Sequence, residues 1–120
     1  MSALIWCPFA DEDSAALAAR QLLDEGLIAC ANILPPIRSL YTWQGELNEA
    51  VEVGVLFKTD ATALDRATAR LAEIHPYETP SVLGWRADTA AKPTAEWLWA
   101  SVSWSPQQPG SRCSITGSRR

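Results

Sequence analysis

Apolar and polar positions along the chain alternate between the two-residue period of strands and the 3.6-residue period of helices. Residues 3–9 (Ala-Leu-Ile-Trp-Cys-Pro-Phe) form a short apolar run around Pro8, which predicts a buried first strand. Asp11 to Ser14 supplies acids and an N-cap for a helix over 15–25. Leu17, Ala18, Gln21 and Leu22 fall one turn apart there, and Gly26 takes the left-handed position after the helix. A second strand is expected over Leu27–Leu34, stopped by Pro35-Pro36, and a third extended segment over Ile37–Gln44 before a turn at Gly45. Val51, Val53, Val55 and Phe57 then alternate with Glu52, Gly54, Leu56 and Lys58, the clearest strand in the chain. Asp60 caps a helix whose Leu64, Ala67, Leu71 and Ile74 share a face. His75-Pro76-Tyr77-Glu78-Thr79-Pro80 cannot be helical, because each proline pushes its predecessor to extended geometry. Ser81–Arg86 reads as a last strand and Thr94–Trp104 as a last helix.

The order β-α-β-β-α-β with an appended helix predicts an α+β, ferredoxin-like sandwich: a four-stranded antiparallel sheet with two helices on one face. That domain is expected to fill residues 1–104. The stretch 105–120, rich in Ser, Pro, Gly and Gln, is expected to be a disordered tail. Two helices leave the other sheet face to find a cover, and six tryptophans are many for 120 residues. Both features predict a homo-oligomer.

Charge and cysteine usage narrow the partners. The chain has 10 basic and 14 acidic residues, a net charge of −4, and three of the arginines lie in the tail. No nucleic acid is expected as a partner, because a phosphate-backbone binder needs a basic face. The longest apolar run, Leu27–Leu34, is far short of the roughly 18–20 residues a membrane helix needs, so no membrane association is expected. The start lacks the pattern of a secretory signal. Cys7, Cys30 and Cys113 are odd in number and form no CxxC pair, which predicts a reducing, cytoplasmic setting.

Candidate chemistry is sparse. His75 is the only histidine, so no two-histidine metal site comes from one chain. It shares a stiff double-proline loop with Tyr77 and Glu78. Cys7 stands at the end of the first strand, whereas Cys30 reads as core packing. A thiolate with an imidazole suits copper or zinc, with a third donor from water, another protomer or a carboxylate such as Glu78. No nucleophile elbow, oxyanion loop or Walker motif accompanies Cys7 and His75, so no enzyme is expected. Glu46, Glu49 and Glu52 read as a solvated hairpin, and Lys58 as an edge-strand gatekeeper or a partner of Glu52. Trp97, Trp99 and Trp104 read as core or interface packing.

Four segments together resemble the CutA divalent-cation-tolerance family: Gly26-Leu27-Ile28-Ala29-Cys30-Ala31-Asn32-Ile33-Leu34-Pro35, Tyr41-Thr42-Trp43-Gln44-Gly45, Lys58-Thr59 and His75-Pro76-Tyr77-Glu78-Thr79-Pro80. The resemblance spans about residues 3–104. It implies a ferredoxin-like fold, a tight homotrimer, and a role in tolerance of copper and other divalent metals with no obligatory cofactor. In bacterial members a copper site is attributed to a cysteine ending the first strand and a His-His pair opening the His-Pro-Tyr motif. Here those positions are Cys7 and His75, with Ile74 in place of the first histidine. The family's Tyr-Leu-x-Trp segment is Thr94-Ala95-Glu96-Trp97. An alternative is a trimeric small-molecule-responsive protein similar to PII-type signalling proteins. Trp43, Lys58, Tyr77 and Glu78 would then line a cleft or interface between protomers.

Overall fold

The computed structural model describes residues 1–102; Trp104, Cys113 and the expected tail over 105–120 lie outside the described residues. Four strands and three helices follow in the order β1 (Ser2–Phe9), α1 (Glu12–Asp24), β2 (Cys30–Trp43), β3 (Glu46–Asp60), α2 (Ala61–Ile74), β4 (Leu83–Arg86) and α3 (Lys92–Ser101). The strands form one antiparallel sheet in the order β2-β3-β1-β4, the expected ferredoxin-like α+β arrangement.

Local chemistry sets the helix ends. Asp11 caps α1 by accepting from the Ser14 amide at 2.7 Å. At the other end Gly26 has φ +74°, and Gly26 N–H and Leu27 N–H donate to the Leu23 and Leu22 carbonyls, a Schellman closure. Asp60 caps α2 through the Thr62 amide at 3.0 Å and hydroxyl at 2.8 Å. The buried stripe of α1 is Ala15, Ala18, Ala19 and Leu22, and Leu17 points to solvent, contrary to expectation. Three alanines on the stripe bring this helix close to the sheet. The stripe of α2 is Ala63, Leu64, Ala67 and Leu71, close to expectation.

Strand β2 differs most from the sequence expectation. It starts at Cys30 and runs through Pro35-Pro36 to Trp43, so the two expected extended segments are one strand. A register shift between Ile33 and Pro36 leaves Leu34 and Pro35 outside the ladder, which resumes with Pro36 opposite Val53. β2 is also an edge strand, where a missing N–H costs least. Leu27 and Ile28 are buried but precede the strand. The turn that follows has Gln44 and Gly45 both at positive φ, +53° and +80°, the backbone that a two-residue hairpin prefers. β4 is shorter than expected and α3 starts two residues earlier, where Pro93 suits a first turn.

Alternate residues of β1 and β3 (Ala3, Ile5, Cys7, Phe9; Val53, Val55, Phe57) make the core with α1, α2, Leu27 and Ile28. Helix α3 packs on β1 and β3 without touching α1 or α2, so it covers part of the other sheet face, burying Leu98 and Val102. On that face Trp6 lies diagonal to Gly54, with room for no side chain there. Cys30 also lies there: it is buried but pairs with Lys58, outside the main core, because β2 begins with the opposite phase. Trp97 is half-buried on α3 and Trp99 is exposed. β1 stops at Phe9, opposite Val53, so Glu46–Glu52 and Ile37–Trp43 project as a two-stranded arm.

Candidate functional site

The end of β1 gathers the chemistry. Pro76 holds His75 extended, at φ −67° and ψ 137°, which ends α2 and turns the imidazole back toward β1. The ring stacks on Phe9 at 4.3 Å and tilts against Tyr77 at 4.6 Å. His75 Nδ1 accepts from the Tyr77 amide at 3.0 Å. That bond fixes the tautomer: Nε2 carries the proton and donates it to the Pro8 carbonyl at 2.9 Å. Cys7 Sγ donates to the same carbonyl at 3.7 Å, so thiol and imidazole meet at one oxygen.

Cys7 is fully buried on the core side of the sheet, opposite Val55. Burial, and secondarily the nearby Glu52 charge, push its thiol up to about 12. At pH 7 only about one molecule in 10⁵ then carries the thiolate. Tyr77 Oη donates to Glu52 Oε2 at 2.8 Å, and burial first, then Glu52, raise the phenol well above its ordinary value. The expectation for Glu52 is corrected here. Glu46 and Glu49 are exposed, Glu49 paired with Arg38, but Glu52 is half-buried under Tyr77.

The other nominated residues do not join this cluster. Glu78 is exposed one residue beyond Tyr77. Trp43 is exposed at the arm's tip, paired with Glu46. Lys58 is half-buried twelve residues further along β3, roughly 40 Å of strand at 3.3 Å per residue. It is not an edge gatekeeper, because β3 is an interior strand flanked by Leu4 on β1 and Cys30 on β2. Its distance along the strand also separates it from Glu52. Within one chain, then, Trp43 and Lys58 share no cleft. Ile74, at the position of the family's first histidine, packs against the core.

Both nitrogens of His75 are engaged within the protein, and Cys7 is protonated. Among the described residues, no three His, Cys, Asp or Glu side chains are placed to hold a metal. A soft cation reaching these two donors must displace the Cys7 proton and the bond from Nε2 to Pro8.

Residues 3–101 match the family model described as CutA1 divalent ion tolerance protein. The chain belongs to the CutA1 divalent ion tolerance family. A relative from Yersinia pestis (strain Pestoides F), a divalent-cation tolerance protein CutA, is 36% identical over 99 residues, spanning 82% of this chain and 83% of that protein. Among solved CutA-family structures, the divalent cation tolerance protein of Thermus thermophilus aligns with a TM-score of 0.80 and 30% identity. That alignment covers 85% of this chain and 99% of that one. CutA1 from Oryza sativa gives a TM-score of 0.80 at 28% identity, over 87% and 95% of the two chains.

Proposed function

We propose that this chain serves divalent-cation tolerance as a cytoplasmic homotrimer that takes up soft cations, copper among them, through Cys7 and His75, without catalysis and without an obligatory cofactor. The observation that carries this reading is the convergence of the one imidazole and a thiol on the Pro8 carbonyl. Thiolate and imidazole are ligands that copper favours. The buried thiol must lose its proton first, so uptake is weak at neutral pH and strengthens as pH rises.

Assembly is supported by the arm. Two strands alone are marginal in water, and Leu40, Leu47 and Val51 stand exposed along it. The free Cys7 and Cys30 fit a reducing compartment. The small-molecule alternative has less support, since the family matched is one of divalent ion tolerance.

The test is a calorimetric copper titration of the reduced protein and of its Cys7→Ser and His75→Ala variants, with light scattering on each. Binding near one metal per protomer that both variants lose, in a particle of three chains, supports the reading. Equal binding in all three proteins, or none, overturns the metal assignment; a monomer overturns the assembly.

A further inference from the structure

The arm carries three acids, and two are already engaged. Glu52 accepts from Tyr77 and Glu49 pairs with Arg38, whereas the Glu46 carboxylate has no side-chain partner among the described residues. Glu46 stands directly opposite the exposed Trp43 at the arm's end. Both share the strand phase of Gly54 and Lys58, the sheet face away from α1 and α2. The basic residues hold a counterpart. Of the described lysines and arginines only Arg70 and Lys58 are half-buried. Arg70 has Glu25 and Glu73, but no carboxylate among the described residues pairs with Lys58. The row that Lys58 occupies across the sheet is otherwise uncharged: Cys30, Lys58, Leu4 and Trp85. Trp85 and its neighbour in the next row, Leu83, are exposed, so α3 leaves this part of the face open.

A partly desolvated ammonium gains most from a carboxylate brought to it, and exposed indoles are frequent anchors of protein contacts. Within one chain Glu46 and Lys58 lie on the same strand, roughly 40 Å apart at 3.3 Å per residue, and cannot meet. Between two copies they can. A contact of an arm's end with a sheet face uses two different patches, so each copy gives one and receives one, and the arrangement closes as a ring.

We propose that the sheet face around Lys58, with Leu83 and Trp85, receives the arm's end of a second copy, whose Glu46 pairs with Lys58 and whose Trp43 packs on the exposed apolar side chains. This contact rests on the assembly reading above and names the surfaces that carry it. It also brings Trp43 and Lys58 together across copies, although one chain holds them apart.

The test is a charge exchange in the full chain: Lys58→Glu, Glu46→Lys and the double variant. Subunit exchange between unlabelled and ¹⁵N-labelled protein, followed by native mass spectrometry, reads the contact through its dissociation rate. Each single variant is expected to exchange at least about tenfold faster than wild type, because each sets like charges against one another. The two change net charge in opposite directions, so a shared effect is not one of net charge. The double variant restores an opposite pair and is expected to return to within about threefold of the wild-type rate. Single variants that exchange like wild type overturn the contact, and so does a double variant in which the two effects multiply. A monomeric wild type overturns the assembly reading and this contact together, whereas an assembled wild type without coupling overturns the contact alone.

Discussion

Replacing Gly54 with alanine tests how closely the central strands are fitted beside the site. Gly54 pairs with Pro8, and Trp6 on β1 lies diagonal to it on the sheet face away from α1 and α2. A Cβ at Gly54 would stand 2.2 Å from Cη2 of Trp6 and 3.0 Å from Cζ2 and Cζ3, where ordinary contact begins near 3.4 Å. The indole must therefore retreat by about 1 Å or swing aside. Trp6 is half-buried and contacts Gly54 with its far edge, so movement is possible but gives up packing over both central strands. Overpacking of this kind costs about 1–3 kcal/mol, and the depth of the clash places Gly54→Ala in the upper half. For a domain of this size that is a fall in Tm of roughly 8–20 °C. Calorimetric melts at one fixed protein concentration measure it, since assembly makes Tm concentration-dependent. Trp6→Leu is expected to cost less in the Gly54→Ala background than alone, with a coupling above about 0.5 kcal/mol. A Gly54→Ala protein melting within about 2 °C of wild type would refute the packing argument.

Three other outcomes follow from the geometry. Thr59→Val keeps the side-chain shape but strands the Leu27 carbonyl, which now accepts from Thr59 Oγ1 at 2.8 Å in the core; urea titration should show a loss of about 1–3 kcal/mol with an unchanged m-value. Glu25 is held below its ordinary 4.5 by Arg70; burial pushes Asp60 up, but the Thr62 hydrogen bonds and the Met1 ammonium together bring it below 3.8. Their folded values lie below their unfolded ones, so their stabilisation is full above about pH 4.5 and fades as pH falls through the folded values; Arg70→Ala should flatten the Glu25 part of an acid-unfolding profile. Cys7 shifts the other way. Its folded value near 12 exceeds the ordinary 9.0, so stability is full below pH 9 and falls by about 1.4 kcal/mol per unit above it, a slope that Cys7→Ala should remove.

The fold was legible because its signals are local and agree with one another. Asp11, Gly26 and Asp60 mark helix ends in the residues themselves, and the Val51–Phe57 alternation marks a strand from either side. The prolines of β2 misled because a proline forbids pairing only where the ladder needs its N–H. Edge position and the register shift are tertiary facts. Strand order likewise decided that Lys58 is interior and that Cys30 faces away from the core. Cys7 and His75 were legible as chemistry, but the carbonyl that joins them depends on where α2 ends relative to β1. Glu52 was read with Glu46 and Glu49 because all three share a hairpin. Only the Phe9–Val53 register shows that it stands where β1 has stopped and Tyr77 can reach.

His75 is the only histidine, so its ring nitrogens give two unambiguous signals in a long-range ¹H–¹⁵N spectrum of labelled, reduced protein. In the free protein the ring proton should sit on Nε2, with Nδ1 accepting from the Tyr77 amide. On adding copper(I), which is diamagnetic, the Nε2 proton should disappear and that nitrogen should shift, with no such change in Cys7→Ser. An Nδ1-protonated ring, or a spectrum that copper leaves untouched, would contradict the claim that Cys7 and His75 act together at the end of β1.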